Sequence, residues 1–255
     1  MCLIFISLND HPKYKLIIAA NRDEFYNRKT SPAHFWKDHP EILGGRDLQE
    51  MGTWMGASKS GKISMVTNYR DLEGLKDGAP SRGHLVSDYL SNGESPEHYL
   101  KTIQRKASLY NGFNLLVGTA DELWYLSNYK NGIEKIKPGF YGISNHLLET
   151  PWPKVIRGKE LIRPSMLKPE IDANEVLDIL QDEQQAPDTQ LPKTGLDYTR
   201  EKAVSSIFIK SPNYGSRSST LVLADRSGNI SFTERVYDLK TFEYSTHTFE
   251  FNIKG

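Results

Sequence analysis

The chain has 255 residues, and its 32 Lys+Arg balance 32 Asp+Glu to a formal net charge of zero. That balance argues against nucleic acid or an anionic membrane as an obligate partner, and the length fits one large or two modest domains with ample core. The one cysteine excludes an internal disulfide and a cysteine-rich zinc site. No apolar run approaches a membrane span. Leu3 to Leu8 are too few, and lack a preceding basic segment, for a signal peptide. The expectation is a soluble, cytoplasmic protein with no metal site. No linker, repeat or low-complexity tract divides it, so residues 1–255 read as a single domain.

Cys2 to Leu8 reads as a strand, and Lys15 to Ala20 as its partner across an Asn9-Asp10-His11-Pro12 turn. Both are apolar at nearly every position, so both faces need cover. A turn centred between His11 and Pro12 pairs positions summing to 23. That sets Cys2 opposite Asn21 and brings Arg22 and Asp23 out just beyond the sheet edge. Ile42–Arg46, Thr53–Ser58 and Lys62–Thr67 read as a glycine-punctuated meander. A helix is expected from Ser81 to Leu90. A second starts with Ser95 as N-cap and Pro96 at N1 and ends at Asn111-Gly112. Strands follow at Phe113–Thr119, Glu122–Ser127 and Phe140–Ile143. Pro153 opens a helix to about Ile162, ahead of Pro164. Another is capped by Asp172, with Glu175 completing a capping-box-like pair and Ile171 stapled against Val176. Gln184–Lys193 reads as a mobile loop, and Ser218–Ala224 and Asn229–Thr233 as a closing hairpin. Strands, then helices, then strands is α+β with two sheets to cover. A sheet-on-sheet core with helices outside meets that need.

The chemistry starts at Cys2. A small residue after the initiator methionine signals removal of Met1, which would leave thiol and α-amine on one carbon. The thiolate then attacks and the amine carries the proton, near its ordinary value of about 7.7–8. The alternative is a small hydrophobe opening a buried strand. Asn21-Arg22-Asp23-Glu24 is either a solvated turn with a weak local ion pair or, across the hairpin from Cys2, a cluster whose guanidinium raises the thiolate fraction. Asn145, after Phe140–Ile143, either turns the chain or donates to an oxyanion. Asn68 poses the same choice. Arg217 either reaches a cleft or is solvated. His34 and His39 flank Phe35-Trp36, where haem contact competes with the plainer reading of surface histidines. No phosphate loop, nucleophile elbow or His-Glu-x-x-His is present.

Asn21-Arg22-Asp23-Glu24 after a Met-Cys strand resembles the NRDE family, also called the transport and Golgi organisation family. Leu43-Gly44-Gly45-Arg46-Asp47, Gly52-Thr53-Trp54-Met55-Gly56 and Thr67-Asn68-Tyr69-Arg70 support this. So do Ser81-Arg82-Gly83, Gly142-Ile143-Ser144-Asn145, Pro151-Trp152-Pro153-Lys154 and Tyr214-Gly215-Ser216-Arg217, in order along nearly the whole chain. The resemblance implies a four-layer αββα sandwich of the N-terminal-nucleophile hydrolase type. It also implies similarity to cysteine amidases of the choloylglycine hydrolase and penicillin V acylase group. Carried over, Cys2 is the nucleophile, Arg22 tunes it and Asp23 orients the amine. Asn145 serves the oxyanion and Arg217 the substrate charge. Those amidases separate their Arg and Asp, whereas Arg22 and Asp23 are adjacent and on a strand face opposite ways. Asn21, Asn68, Trp54 and Trp152 are the substrate-binding candidates.

Two functions follow as expectations. One is a hydrolase of a linear amide or acyl thioester that requires no cofactor. The other, from the family association with haem trafficking and with acyl-lipid and coenzyme A metabolism, is a protein that binds and transfers haem or an acyl lipid. A scaffold with a vestigial pocket is a third.

Overall fold

The computed structural model describes residues 2–253. Its strands are β1 (Cys2–Leu8), β2 (Tyr14–Phe25), β3 (Thr30–Phe35), β4 (Ile42–Asp47), β5 (Met55–Ser58), β6 (Lys62–Asn68), β7 (Phe113–Thr119), β8 (Leu123–Ser127), β9 (Glu134–Lys135), β10 (Gly139–Ile143), β11 (Tyr214–Asp225), β12 (Asn229–Tyr237) and β13 (Tyr244–Asn252). The helices are α1 (Gly83–Ser91), α2 (Pro96–Lys106), α3 (Pro153–Met166), α4 (Ala173–Ile179) and α5 (Tyr198–Ala203).

One sheet runs β10-β1-β2-β11-β12-β13 and the other β3-β4-β5-β6-β7-β8-β9. Side-chain alternation along each strand builds three cores. Ile4, Ile6, Ile18 and Ala20 of the first sheet meet Met65 and Leu116 of the second in the central layer. On the outer face of the first sheet, Leu3, Phe5, Ile17 and Ala19 pack with Val155 and Ile162 of α3 and Val176 of α4. On the outer face of the second, Val66 and Leu115 pack with Leu85 of α1 and Leu100 of α2. The result is an αββα sandwich, as the both-face-apolar strands require.

The hairpin register differs from the expected one. Cys2 pairs with Arg22, not Asn21, and the pairs sum to 24. The turn is one residue wider because Asn9 takes a left-handed φ of 49° and its N–H reaches the Lys15 carbonyl at 2.7 Å. The His11 ring nitrogen then accepts the N–H groups of Lys13 and Tyr14 at 3.0 and 3.1 Å. Nor do Arg22 and Asp23 lie beyond the sheet. They sit inside β2, which runs to Phe25 because β11 pairs with it along that length.

Other boundaries shift for local reasons. Helix α3 continues through Pro164, which falls within its last turn. Asp172 caps α4 by accepting the Asn174 N–H at 2.9 Å, but Glu175 is drawn away by Lys168 and Ser165 instead of completing a capping box. Gln184–Lys193 carries a short 3₁₀ turn at Asp188–Gln190 and is tied down where the Ala186 N–H donates to Ser205 Oγ at 3.0 Å. Among the described residues, no helix is long and apolar enough to cross a membrane.

Candidate active site

Cys2, first residue of β1, is 6% exposed and opens onto a cleft of about 250 Å³. Arg22, Asp23, Asn68, Trp54 and Arg82 are among its walls. Along β1, and along β2 from Leu16 on, even-numbered residues face the sheet–sheet layer and odd-numbered ones face α3 and α4. Cys2 and Arg22 therefore share a face, and Asp23 turns to the other. The adjacency of Arg22 and Asp23 does separate them across the sheet. Asp23 still reaches Cys2, because its backbone N–H donates to the Cys2 sulfur.

Burial pushes the Cys2 thiol up, the Asp23 carboxylate adds to this, and Arg22 and the Asp23 N–H oppose it. The arginine expected to activate the thiol is thus outweighed by desolvation. The thiol is held protonated at neutral pH. Burial likewise raises the Asp23 carboxyl, countered by the Lys154 ammonium and by the Ser216 hydroxyl, which donates to Oδ1 at 2.6 Å.

The remaining candidates divide. Asn68, at the end of β6, lines the cleft, as does Trp54. Asn145 is fully buried beside the Cys2 backbone but outside the cleft wall. Its Nδ2 donates to the Asn68 carbonyl at 3.1 Å, and its Oδ1 accepts from Ser144 Oγ, itself 3.1 Å from the Cys2 carbonyl. Asn21 does not meet the cleft. Its Nδ2 donates to the Leu180 and Ile207 carbonyls at 2.8 and 3.0 Å, and its Oδ1 accepts from Ser219 at 2.6 Å, clamping β2 to the helical layer. Trp152 is the N-cap of α3, with the Arg70 guanidinium 4.7 Å from its ring centre, also away from the cleft. Arg217 sits where β11 bulges between Ser216 and Ser218, and donates to the Phe25 and Tyr26 carbonyls at 2.6 and 3.1 Å. It lines a neighbouring pocket of about 170 Å³ that shares Arg22, Asp47, Thr53 and Trp54 with the cleft.

Three residues without a role assigned from sequence belong to the site. Arg82 walls the cleft and donates to the Gly112 carbonyl at 2.8 Å, close enough for its charge to be felt at Cys2. Arg28 and Asp47 pair across the rim at 3.0 Å. Arg82 and Asp47 stand in stretches that carried the family resemblance, which was the one signal for them. The processing of Met1 lies outside the described residues.

Two antiparallel sheets packed face to face, with helices on both outer faces, make the αββα sandwich of the N-terminal-nucleophile hydrolase fold. The chain is similar to the N-acylethanolamine-hydrolyzing acid amidase ortholog of Caenorhabditis elegans, with a TM-score of 0.50 over 87% of this chain and 92% of that one, at 8% identity, a likeness of fold. The chain belongs to the Transport and Golgi organisation 2 family, whose model matches residues 1–239. It is 37% identical to the Transport and Golgi organization 2 homolog of Mus musculus over the whole of both chains. It is 29% identical to the Transport and Golgi organization protein 2 of Drosophila melanogaster, over 92% of this chain and 91% of that one.

Proposed function

We propose that the protein is a cysteine N-terminal-nucleophile hydrolase acting on a small linear amide or acyl thioester. The observation that carries this reading is the Cys2 sulfur, which opens on a cleft and takes the Asp23 N–H beneath it. With Met1 removed, the α-amine of Cys2 is the base that the buried thiol needs. It takes the thiol proton as sulfur attacks the carbonyl carbon and returns it to the leaving amine or thiol. Water then cleaves the acyl-enzyme thioester. In this reading Asn68 holds the oxyanion, Asn145 fixes Asn68 through its carbonyl, and Arg22 and Arg217 face the polar part of the substrate. The charged wall of the cleft suits an amide or thioester better than a porphyrin, whose macrocycle needs apolar cover.

The test has two parts. Intact mass must show Met1 absent from protein processed in a normal cell. A panel of amides and thioesters must then give turnover that Cys2→Ala abolishes and Cys2→Ser reduces. Undiminished turnover by Cys2→Ala on an accepted substrate rejects the reading.

A further inference from the structure

Lys154 is the second residue of α3, only 2% exposed, and its ammonium has no hydrogen-bond acceptor among the described residues. Three costs coincide there. A buried cation loses its hydration. An unpartnered buried donor forfeits a hydrogen bond. A positive charge in the first turn of a helix opposes the macrodipole. Nothing in the packing of α3 on β1 needs an ammonium, since Val155 and Ile162 supply the apolar contacts. A costly group without a structural return marks a functional position.

Its neighbours indicate which. Helix α3 covers the face of the first sheet to which Asp23 turns. The strongest opposite charge felt by Lys154 is Asp23 of β2, followed by Cys2 of β1 and Glu201 of α5, while Arg70 beyond β6 repels it. Arg70 and Glu201 already form a buried ion pair at 2.6 Å. From the cleft side, Arg22 and Arg82 act on Cys2. Tyr214 of β11 also feels the charges of Cys2 and Asp23.

We infer that Lys154 is a positioning residue of the Cys2 site, a buried counter-charge that keeps Asp23 ionised behind the nucleophile and offsets its repulsion of the thiolate. The inference rests on Cys2 as the reacting group. Burial holds the Lys154 ammonium down at about 8, so it is charged at neutral pH and ready to lose that charge just above it. Lys154 does not touch the substrate. It acts through Asp23.

Cys2 is the one cysteine of the chain, so alkylation by iodoacetamide reads this thiol alone, whether or not any amide is hydrolysed. The rate is measured against pH in the full-length protein, with melting curves to verify folding. Lys154→Met should slow alkylation at pH 7 about tenfold and leave the rate well above pH 8, where Lys154 has already lost its charge, close to that of the wild type. Lys154→Arg should restore most of the rate, and Asp23→Asn added to Lys154→Met should bring the rate at pH 7 back up. A folded Lys154→Met with the unaltered profile overturns the inference, because a space-filling lysine would leave the thiol titration where it was. If Lys154→Met does not fold, Asp23→Asn carries the test. Loss of the carboxylate should raise the alkylation rate at pH 7, and an unchanged rate rejects the role. Cys2-dependent turnover with an unchanged alkylation profile would reject Lys154 and leave the hydrolase reading standing. The shifted profile without turnover on any substrate would do the reverse.

Discussion

Asn145 Nδ2 donates to the carbonyl of Asn68 at 3.1 Å, and this bond ties the chain just past β10 in one sheet to the end of β6 in the other. The neighbouring Thr67 hydroxyl reinforces it by donating to the Ser144 carbonyl at 2.7 Å. The cleft side chain Asn68 is thus located from behind by a residue that never reaches the cleft. Asn145→Ala should cost about 1–3 kcal/mol of stability, the penalty for orphaning buried polar groups. It should also lower turnover at unchanged Cys2 alkylation. Urea denaturation and the alkylation rate, measured together, check this.

The Arg70–Glu201 pair is among the most enclosed charges of the chain, with side chains 4% and 6% exposed. Thr194 completes it by donating to Glu201 at 2.5 Å. Removing Arg70 leaves the Glu201 carboxylate buried without its cation. Arg70→Met should therefore destabilise by about 3–5 kcal/mol, and adding Glu201→Gln should recover a large part. Denaturant midpoints of the two single variants and the double variant decide it.

Lys154 gives a stability signature independent of any reaction. Its pKa is held at about 8 against an ordinary 10.5, so the unfolded chain binds its proton more tightly than the folded one. The cost of burying the charge is fully present below about pH 8 and fades as pH rises toward 10.5. Between those limits the wild type should gain stability relative to Lys154→Met, on the order of 3 kcal/mol. Unfolding free energies of both proteins at pH 7.5 and 10 measure the difference.

Gly158 of α3 lies against Phe5 of β1, and a Cβ there would come within 2.1 Å of the Phe5 ring. Gly158→Ala must push α3 away from the sheet, with an overpacking cost of about 1–3 kcal/mol. Because α3 also carries Lys154, the displacement should alter the pH profile of Cys2 alkylation as well as the melting temperature. A distant surface variant of equal stability loss provides the comparison.

The sequence made the β1–β2 hairpin and the two-sheet core legible because apolar residues at nearly every position of Cys2–Leu8 and Lys15–Ala20 demand cover on both faces. The hairpin register was hidden by local stereochemistry: the left-handed Asn9 and the acceptor nitrogen of His11 leave no length signal in a plain turn motif. β3 escaped notice because Pro32 argues against a strand, and it is accommodated where the pairing slips between Ser31 and His34. β13 is a mostly exposed sheet-edge strand with few apolar residues. The nearness of Arg22 to Cys2 was readable from position and motif. Asn21, Asn145 and Trp152 were placed near the chemistry, but their side chains go to backbone carbonyls or to Arg70. The Lys154–Asp23 relationship joins a helix start to a strand 131 positions earlier, which no local pattern encodes.

The wide turn at the far end of the hairpin has a reach that its exposed residues conceal. The six residues Leu3–Leu8 separate it from Cys2, roughly 20 Å along the strand. Yet its length decides which side chain of β2 stands across from the thiol. Substitutions at Asp10 or Pro12 that keep the count should be silent for chemistry. Deleting one residue from Asn9–Lys13 while the turn keeps its form would slide β2 along β1 by one position, turn Arg22 to the other face, and set the Asp23 carboxylate across from Cys2. Among relatives, this loop should therefore vary in letters and hold its length.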